Sequence, residues 1–250
     1  MEPVAPTNIS RRGPNGIVFV DCSDVDDGVF DRTYRDVLQP AFRPAELDTL
    51  DAMRTAFRTP FPGRFGTIAL RSGEPVAAAL AEYDAASEVL LLGYLAVRSD
   101  QRGRGTGSAL LSDSLPRWRE NARPVAVLAE VEDPRCYEAG PYGDPAARLR
   151  MYERVGWRLL PVPYFQPALG QGLPRVRGLL LIGHALDGAA VPGAHLVRFL
   201  DRYLAECEGP EAVRSDAEYL ALRKRIESWP GEVPLWPMSR LSEVPLARHG

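Results

Sequence analysis

Between Arg102 and Gly107 the chain reads Arg-Gly-Arg-Gly-Thr-Gly, with Ser108-Ala109-Leu110-Leu111 following at once. Glycine clusters cost chain entropy, and anion binding is the chemistry that best justifies this one. An apolar strand leads in and a helix leads out. Backbone N–H groups therefore converge at a helix N-terminus, where the dipole favours negative charge. Gly103, Gly105 and Gly107 let a ligand approach the backbone and tolerate positive φ. Arg98, Arg102 and Arg104 against Asp100 give a local charge of +2 in a chain of net charge −3. The expected ligand carries phosphate. A Walker loop needs a lysine that is missing here. A dinucleotide fingerprint fails because Ser108 stands where Gly103-x-Gly105 requires its third glycine. A glycine-rich connector with exposed arginines is the structural alternative.

A second set of groups could handle protons. Glu130 and Glu132 lie two apart in "PVAVLAEVEDP", so they share one face of a strand and must point at solvent or at a site. Tyr152 lies on a helix over Gly143–Trp157, with Asp144 as N-cap, Pro145 in the first position and Gly156 as its stop. Further candidates are Glu82 on an earlier strand, Arg43 in a turn, and Tyr164 and Gln166 in "YFQP". Arg43 could meet an acidic group on a substrate; an exposed turn arginine is the plainer account.

The elements that must position these groups follow from periodicity. "GIVFVDCS" reads as a first strand. Two amphipathic helical stretches follow, one with Phe30, Tyr34, Val37 and Leu38, the other with Leu47, Leu50, Met53 and Phe57. Phe65–Asp84 reads as two strands joined at Ser-Gly-Glu-Pro. Glu88–Val97 is apolar almost throughout and reads as a strand buried on both faces. The helix after the glycine loop carries Leu111, Leu115 and Trp118, with Pro116 expected to kink or end it. Strands over Pro124–Pro134, near Trp157–Tyr164 and over Val176–His184 complete the order. This is an α/β (α+β) pattern, a mixed, mostly antiparallel sheet of about seven strands flanked by helices. The expected division is a flexible tail over 1–16, a main domain over 17–190, and a C-terminal helical extension and tail over 191–250. The extension holds one helix with Leu196, Phe199, Leu200, Tyr203 and Leu204 and another with Tyr219, Leu222 and Ile226. They would form an added layer or a subunit contact, which leaves a homodimer open. The last residues, from Trp229, read as extended.

Bulk properties narrow the partners. With 30 basic against 33 acidic residues and a pI near 5.7, the chain lacks the excess positive charge of a nucleic-acid binder. Cys22, Cys136 and Cys207 offer neither metal spacing nor a disulfide framework. No apolar run reaches the roughly 18 residues of a membrane span, and the first residues lack the apolar core of a signal peptide. A cytoplasmic location is expected. Lys224 is the only lysine, a bias that suggests a GC-rich bacterial genome.

"LAVRSDQRGRGTGSALL" resembles the acetyl-CoA-binding motif of the GNAT superfamily of N-acetyltransferases, whose core is Arg/Gln-x-x-Gly-x-Gly/Ala. "RMYERVGW" resembles that superfamily's second signature, a helix ending Tyr-x-x-x-Gly-aromatic. The resemblance covers the central part of the chain, about 170 residues, and implies the GNAT fold. It implies acetyl-CoA as co-substrate without a metal, and a primary amine of a small molecule or peptide as acceptor, attacking the thioester directly. Main-chain groups of Leu95 and Val97 would pair with the pantetheine arm. The loop Arg102, Gly103, Arg104, Gly105, Thr106, Gly107 and Ser108 would hold the pyrophosphate, and a strand N–H would serve the oxyanion. Tyr152 matches the tyrosine that protonates the departing thiolate. The glutamate that some relatives carry on the splayed strand is absent from Leu90–Tyr94, and Pro145 replaces the usual asparagine before the second helix. Glu132 is the first candidate for the carboxylate that handles the amine, through water, with Glu130 beside it. Arg43, Glu82, Tyr164 and Gln166 would wall the acceptor site. A non-catalytic acetyl-CoA-binding regulatory module and a toxin-like acetyltransferase acting on aminoacyl-tRNA are the rival readings; the low pI weighs against the second.

Overall fold

The computed structural model describes residues 10–44, 46–58, 63–170, 172–184 and 188–247. The expected tail over 1–16 lies mostly outside them, but Arg11–Arg12 form a short strand, β1, against β2 (Ile17–Asp21). Helix α1 (Asp27–Thr33) starts on Asp26, whose carboxylate accepts from the Val29 amide at 2.8 Å, and it continues as one wider turn over Tyr34–Leu38. Helix α2 (Leu50–Phe57) starts on Thr49 in the same way. The strands β3 (Arg64–Arg71), β4 (Glu74–Asp84) and β5 (Val89–Val97) follow, then α3 (Thr106–Ala122), β6 (Ala126–Glu132) and α4 (Pro145–Arg154). Next come β7 (Trp157–Leu159), β8 (Leu179–His184), β9 (Ala190–Pro192), α5 (Gly193–Glu208), α6 (Pro210–Ser215), α7 (Ala217–Glu227) and β10 (Glu232–Pro234).

The strand order is β1-β2-β3-β4-β5-β6-β8-β7, with β9 and β10 as a separate antiparallel pair. The β5–β6 ladder is parallel, and those of β1–β2, β2–β3, β3–β4, β6–β8 and β7–β8 are antiparallel. The sheet is mixed and mostly antiparallel as expected, with β1 as the eighth strand.

The chain gathers into two compact units. The first takes the chain up to Glu82 together with Gly93–Ala122; the second takes Tyr83–Leu92 and the chain from Arg123 onward. In the first, Phe30, Val37, Leu38, Met53 and Phe57 bury against Val20, Ile68, Leu80 and Ala96, so both predicted helical faces turn inward. Polar ties fix α3 in this unit. Arg117 reaches Asp21 at 3.0 Å, Thr67 at 3.1 Å and Asp113 at 3.0 Å, and Arg11 reaches Asp113 and Asp21. Pro116 does not end α3, which runs on to Ala122; buried Leu115 and Trp118 on either side hold the turn together.

In the second unit, Ala126, Leu128 and Leu181 share one core with Leu196, Phe199, Leu200, Leu204, Tyr219, Leu222 and Ile226. Helix α5 also grips the β4–β5 turn. Arg202 bonds Asp84 at 3.1 Å, Arg198 bonds the Ala86 carbonyl at 3.1 Å, and His195 Nδ1 lies 2.9 Å from the Ser87 carbonyl. Two expected strands are shorter than their apolar runs, β7 stopping at Leu159 and β8 starting at Leu179. The final segment is extended at β10 but not throughout, since a 3-10 turn over Met238–Glu243 interrupts it.

Helix α4 matches its punctuation. The Asp144 carboxylate accepts from the Ala147 amide at 3.1 Å, Pro145 opens the helix, and Gly156 leaves it at φ +90°. A Cβ at Gly156 would meet the His184 ring at 3.3 Å. Gly156→Ala should therefore destabilise the chain by roughly 1–2 kcal/mol, read as a lower urea midpoint with an unchanged slope.

Candidate active site

The glycine loop grows out of a change in strand β5. Its ladder with β6 covers Val89–Leu92 and stops at the Leu92–Ala129 pair. Up to Leu92 the strand is largely buried. Beyond it Gly93 is exposed and Tyr94, Leu95 and Val97 are half-buried. The expectation of a strand buried on both faces holds for the first half only, because the second half has no partner ladder from β6 to cover its edge.

After Val97 the loop is anchored before it opens. Arg98 donates to Asp100 at 2.7 and 3.0 Å and to the Pro75 carbonyl, so its charge is matched within the loop. Arg98, with help from the Gln101 amide, holds the Asp100 carboxyl well below the usual range. Gln101 in turn accepts from Arg71 at 2.5 Å. Arg102 is exposed and its Nε donates to the Val97 carbonyl at 3.1 Å, leaving less of that residue's main chain for a ligand. Arg104 is exposed. Gly103 and Gly105 take φ +75° and +77°, with open space where a side chain would be. The first ladder bond of α3 runs from the Ala109 amide to the Gly105 carbonyl at 2.9 Å. Among the described residues, the amides of Thr106, Gly107 and Ser108 therefore donate to no backbone carbonyl. Thr106 is buried, and its hydroxyl has no hydrogen-bond partner. Open amides, an orphaned hydroxyl and glycines without neighbours fit a phosphate-bearing ligand.

In the second unit, the carboxylate strand has separate partners for each glutamate. Glu132 is buried and paired with Arg148 of α4 at 3.0 Å; Arg148 also donates to the Tyr142 carbonyl at 2.9 Å. Glu130 accepts from the Tyr164 hydroxyl and, at 2.8 Å, from the Gln166 amide. Burial first, and the Glu130 charge second, push the Tyr164 phenol well above its ordinary value, so Tyr164 is the donor in that bond. Three residues singled out separately in the sequence thus form one group. Tyr152 is buried on α4, its ring edge-on to Trp157 at 5.2 Å. Burial raises its phenol and Arg148 partly offsets that rise, so the hydroxyl keeps its proton at neutral pH.

Two other candidates sit in local ion pairs within the first unit. Arg43 bonds Glu46 at 2.8 Å in its own turn, and Glu82 pairs across the β3–β4 ladder with Arg64. Arg148 was not anticipated. It lies four residues before Tyr152 on the same helix face, a spacing that could have flagged it. Among the described residues no group of His, Cys, Asp and Glu is placed to hold a metal, and no helix is long and apolar enough to cross a membrane.

The strand order, the β5 edge and the glycine loop opening α3 define a GNAT fold. Residues 30–138 match the family model of the Acetyltransferase (GNAT) family. No curated protein matches the chain. Among solved structures, a chain assigned to the GNAT acetyltransferases from Bacteroides thetaiotaomicron is 18% identical, with a TM-score of 0.52 over 74% of this chain and 94% of that one. A ribosomal-protein alanine N-acetyltransferase from Escherichia coli is 13% identical, with a TM-score of 0.48 over 69% of this chain and 96% of that one. A GNAT family acetyltransferase from Elizabethkingia anophelis, solved with acetyl-CoA bound, is 15% identical, with a TM-score of 0.46 over 69% and 99%.

Proposed function

We propose that the chain transfers an acetyl group from acetyl-CoA to a primary amine of a small molecule or peptide. The observation that carries this reading is β5, whose edge loses its β6 ladder after Leu92 and runs into a loop with open amides at the N-terminus of α3. Bound there, acetyl-CoA supplies the activated thioester. Leu95 and Val97 offer main-chain groups to the pantetheine arm, with the Val97 carbonyl shared with Arg102. The amides from Gly103 to Ser108 take the pyrophosphate, with the exposed Arg102 and Arg104 as counter-charges. Thr106 supplies the hydroxyl that has no partner among the described residues.

The second unit carries the groups that act on protons and on the acceptor. Tyr152, whose buried hydroxyl keeps its proton at neutral pH, is assigned the role of proton donor to the thiolate. Glu130, steadied by Tyr164 and Gln166, receives the acceptor's ammonium and draws its proton away through water. Glu132 is occupied by Arg148, so Glu130 takes precedence over Glu132. Arg43 and Glu82 are each held in a local ion pair and are given no part in the chemistry.

Thr106→Val tests the donor site. A buried hydroxyl without a partner costs stability, so its replacement by an isosteric methyl should leave the unliganded chain as stable or raise its Tm. The same change should weaken acetyl-CoA binding by about tenfold, in line with one lost hydrogen bond to a charged group. Calorimetric titration with acetyl-CoA reads the second effect. Unchanged affinity would remove Thr106 from the donor site.

A further inference from the structure

Phe165 stands between the two residues that donate to Glu130, and the Arg175 guanidinium lies 4.6 Å over its ring. Arg175 is mostly buried and meets three carboxylates. It donates to Glu208 at 2.5, 2.8 and 3.1 Å, to Asp216 at 3.0 Å and to Glu218 at 3.1 Å. Arg177 adds a second bond to Glu218 at 2.8 Å. Glu208 is the last residue of α5, where the helix dipole disfavours a carboxylate. Its pairing with Arg175 outweighs that and holds its carboxyl below the usual range. Glu208 also accepts from the Ala168 amide at 2.9 Å. Gln166 and Val176 exchange backbone hydrogen bonds at 2.9 and 3.0 Å. Residues 164–168 and 175–176 are thus pinned to each other and to the C-terminal helices.

We propose that Arg175 is a positioning residue for the acceptor side: fixed by Glu208, Asp216 and Glu218, it holds residues 164–168 so that Tyr164 and Gln166 keep the Glu130 carboxylate in one orientation. The C-terminal helices then serve the site as well as the core. This inference rests on the reading of Glu130 as the acceptor's carboxylate. The charges make the role specific. Gln166 reaches Glu130 through its side-chain amide and Val176 through its backbone, so a shift at one end is passed to the other. Ion pairs on open surface contribute little, but this network is largely shielded and links two arginines to three carboxylates.

The test uses the full chain with Arg175→Met, Arg175→Lys and the milder Glu208→Gln. Hydrogen exchange should speed up at the amides of Gln166, Ala168 and Val176. With the primary amine that the wild-type chain acetylates fastest from a fixed panel, acceptor KM should rise about tenfold in Arg175→Met. The Kd for acetyl-CoA should stay unchanged, and Arg175→Lys, which keeps the charge, should recover part of the KM. Faster exchange with an unmoved KM in a folded variant would reduce Arg175 to a structural role and overturn the proposal. Unchanged exchange in Arg175→Met or, where that variant does not fold, in Glu208→Gln would overturn it as well. If the wild type acetylates no amine in the panel, the acetyl-transfer reading fails by itself, and the exchange data still decide whether Arg175 holds residues 164–168.

Discussion

Tyr152→Phe is expected to lower acetyl-transfer turnover by about 10²-fold or more, the lower range for removal of a general acid, with acetyl-CoA affinity unchanged. The substitution is clean because the ring packs edge-on against Trp157 and Phe preserves that contact. Only the hydroxyl is lost. Burial raises the phenol above its ordinary value, which makes it a poor acid toward a thiolate dissolved in water. In the proposed role the departing sulfur would also gain basicity on leaving water, since desolvation disfavours both anions. Proton transfer is therefore matched only as the carbon–sulfur bond breaks. Rates should stay flat through neutral pH on the Tyr152 side, because the phenol does not ionise there. Wild-type turnover in Tyr152→Phe, measured as free thiol released per second, would remove the role.

Glu130→Gln is the second large effect. The two donors bond different oxygens of Glu130, so the amide oxygen can accept from only one of them, while the amide nitrogen turns a donor toward the other. The charge is lost as well. Hydrogen bonds to an ionised partner are worth roughly 1.5–3 kcal/mol, and acceptor kcat/KM should fall roughly 10–100-fold, mainly through KM. Glu132→Gln should have a smaller effect on the acceptor and a larger one on stability, because it leaves the Arg148 guanidinium beside a neutral amide. Equal losses in the two variants, or a larger one in Glu132→Gln, would return Glu132 to the first place that its strand position suggests.

The reasons for what the sequence revealed and concealed are local. Asp144, Pro145 and Gly156 act on their own neighbours, so the start and stop of α4 could be read directly. The glycine loop was equally legible, because positive φ at Gly103 and Gly105 is a property of residue type. Apolar content misled in β5: the run Val89–Val97 is apolar throughout, yet its burial depends on how far the β6 ladder extends. Pro116 misled in the other direction, since packing around Leu115 and Trp118 outweighs one lost helical bond. Glu130 and Glu132 were visible as a pair, but their partners are set by tertiary contacts across tens of residues. Tyr164 and Gln166 could be suspected from "YFQP" without any sign that they met Glu130. The Arg175 network was invisible for the same reason, with its carboxylates lying on two later helices.

The most direct test of the account is free-thiol release from acetyl-CoA by the wild-type chain across a panel of primary amines, with mass spectrometry of each amine. Amine-dependent thiol release matched one-for-one by singly acetylated amine is the predicted result. Saturable acetyl-CoA binding without amine-dependent release would contradict it and leave a binding module in its place.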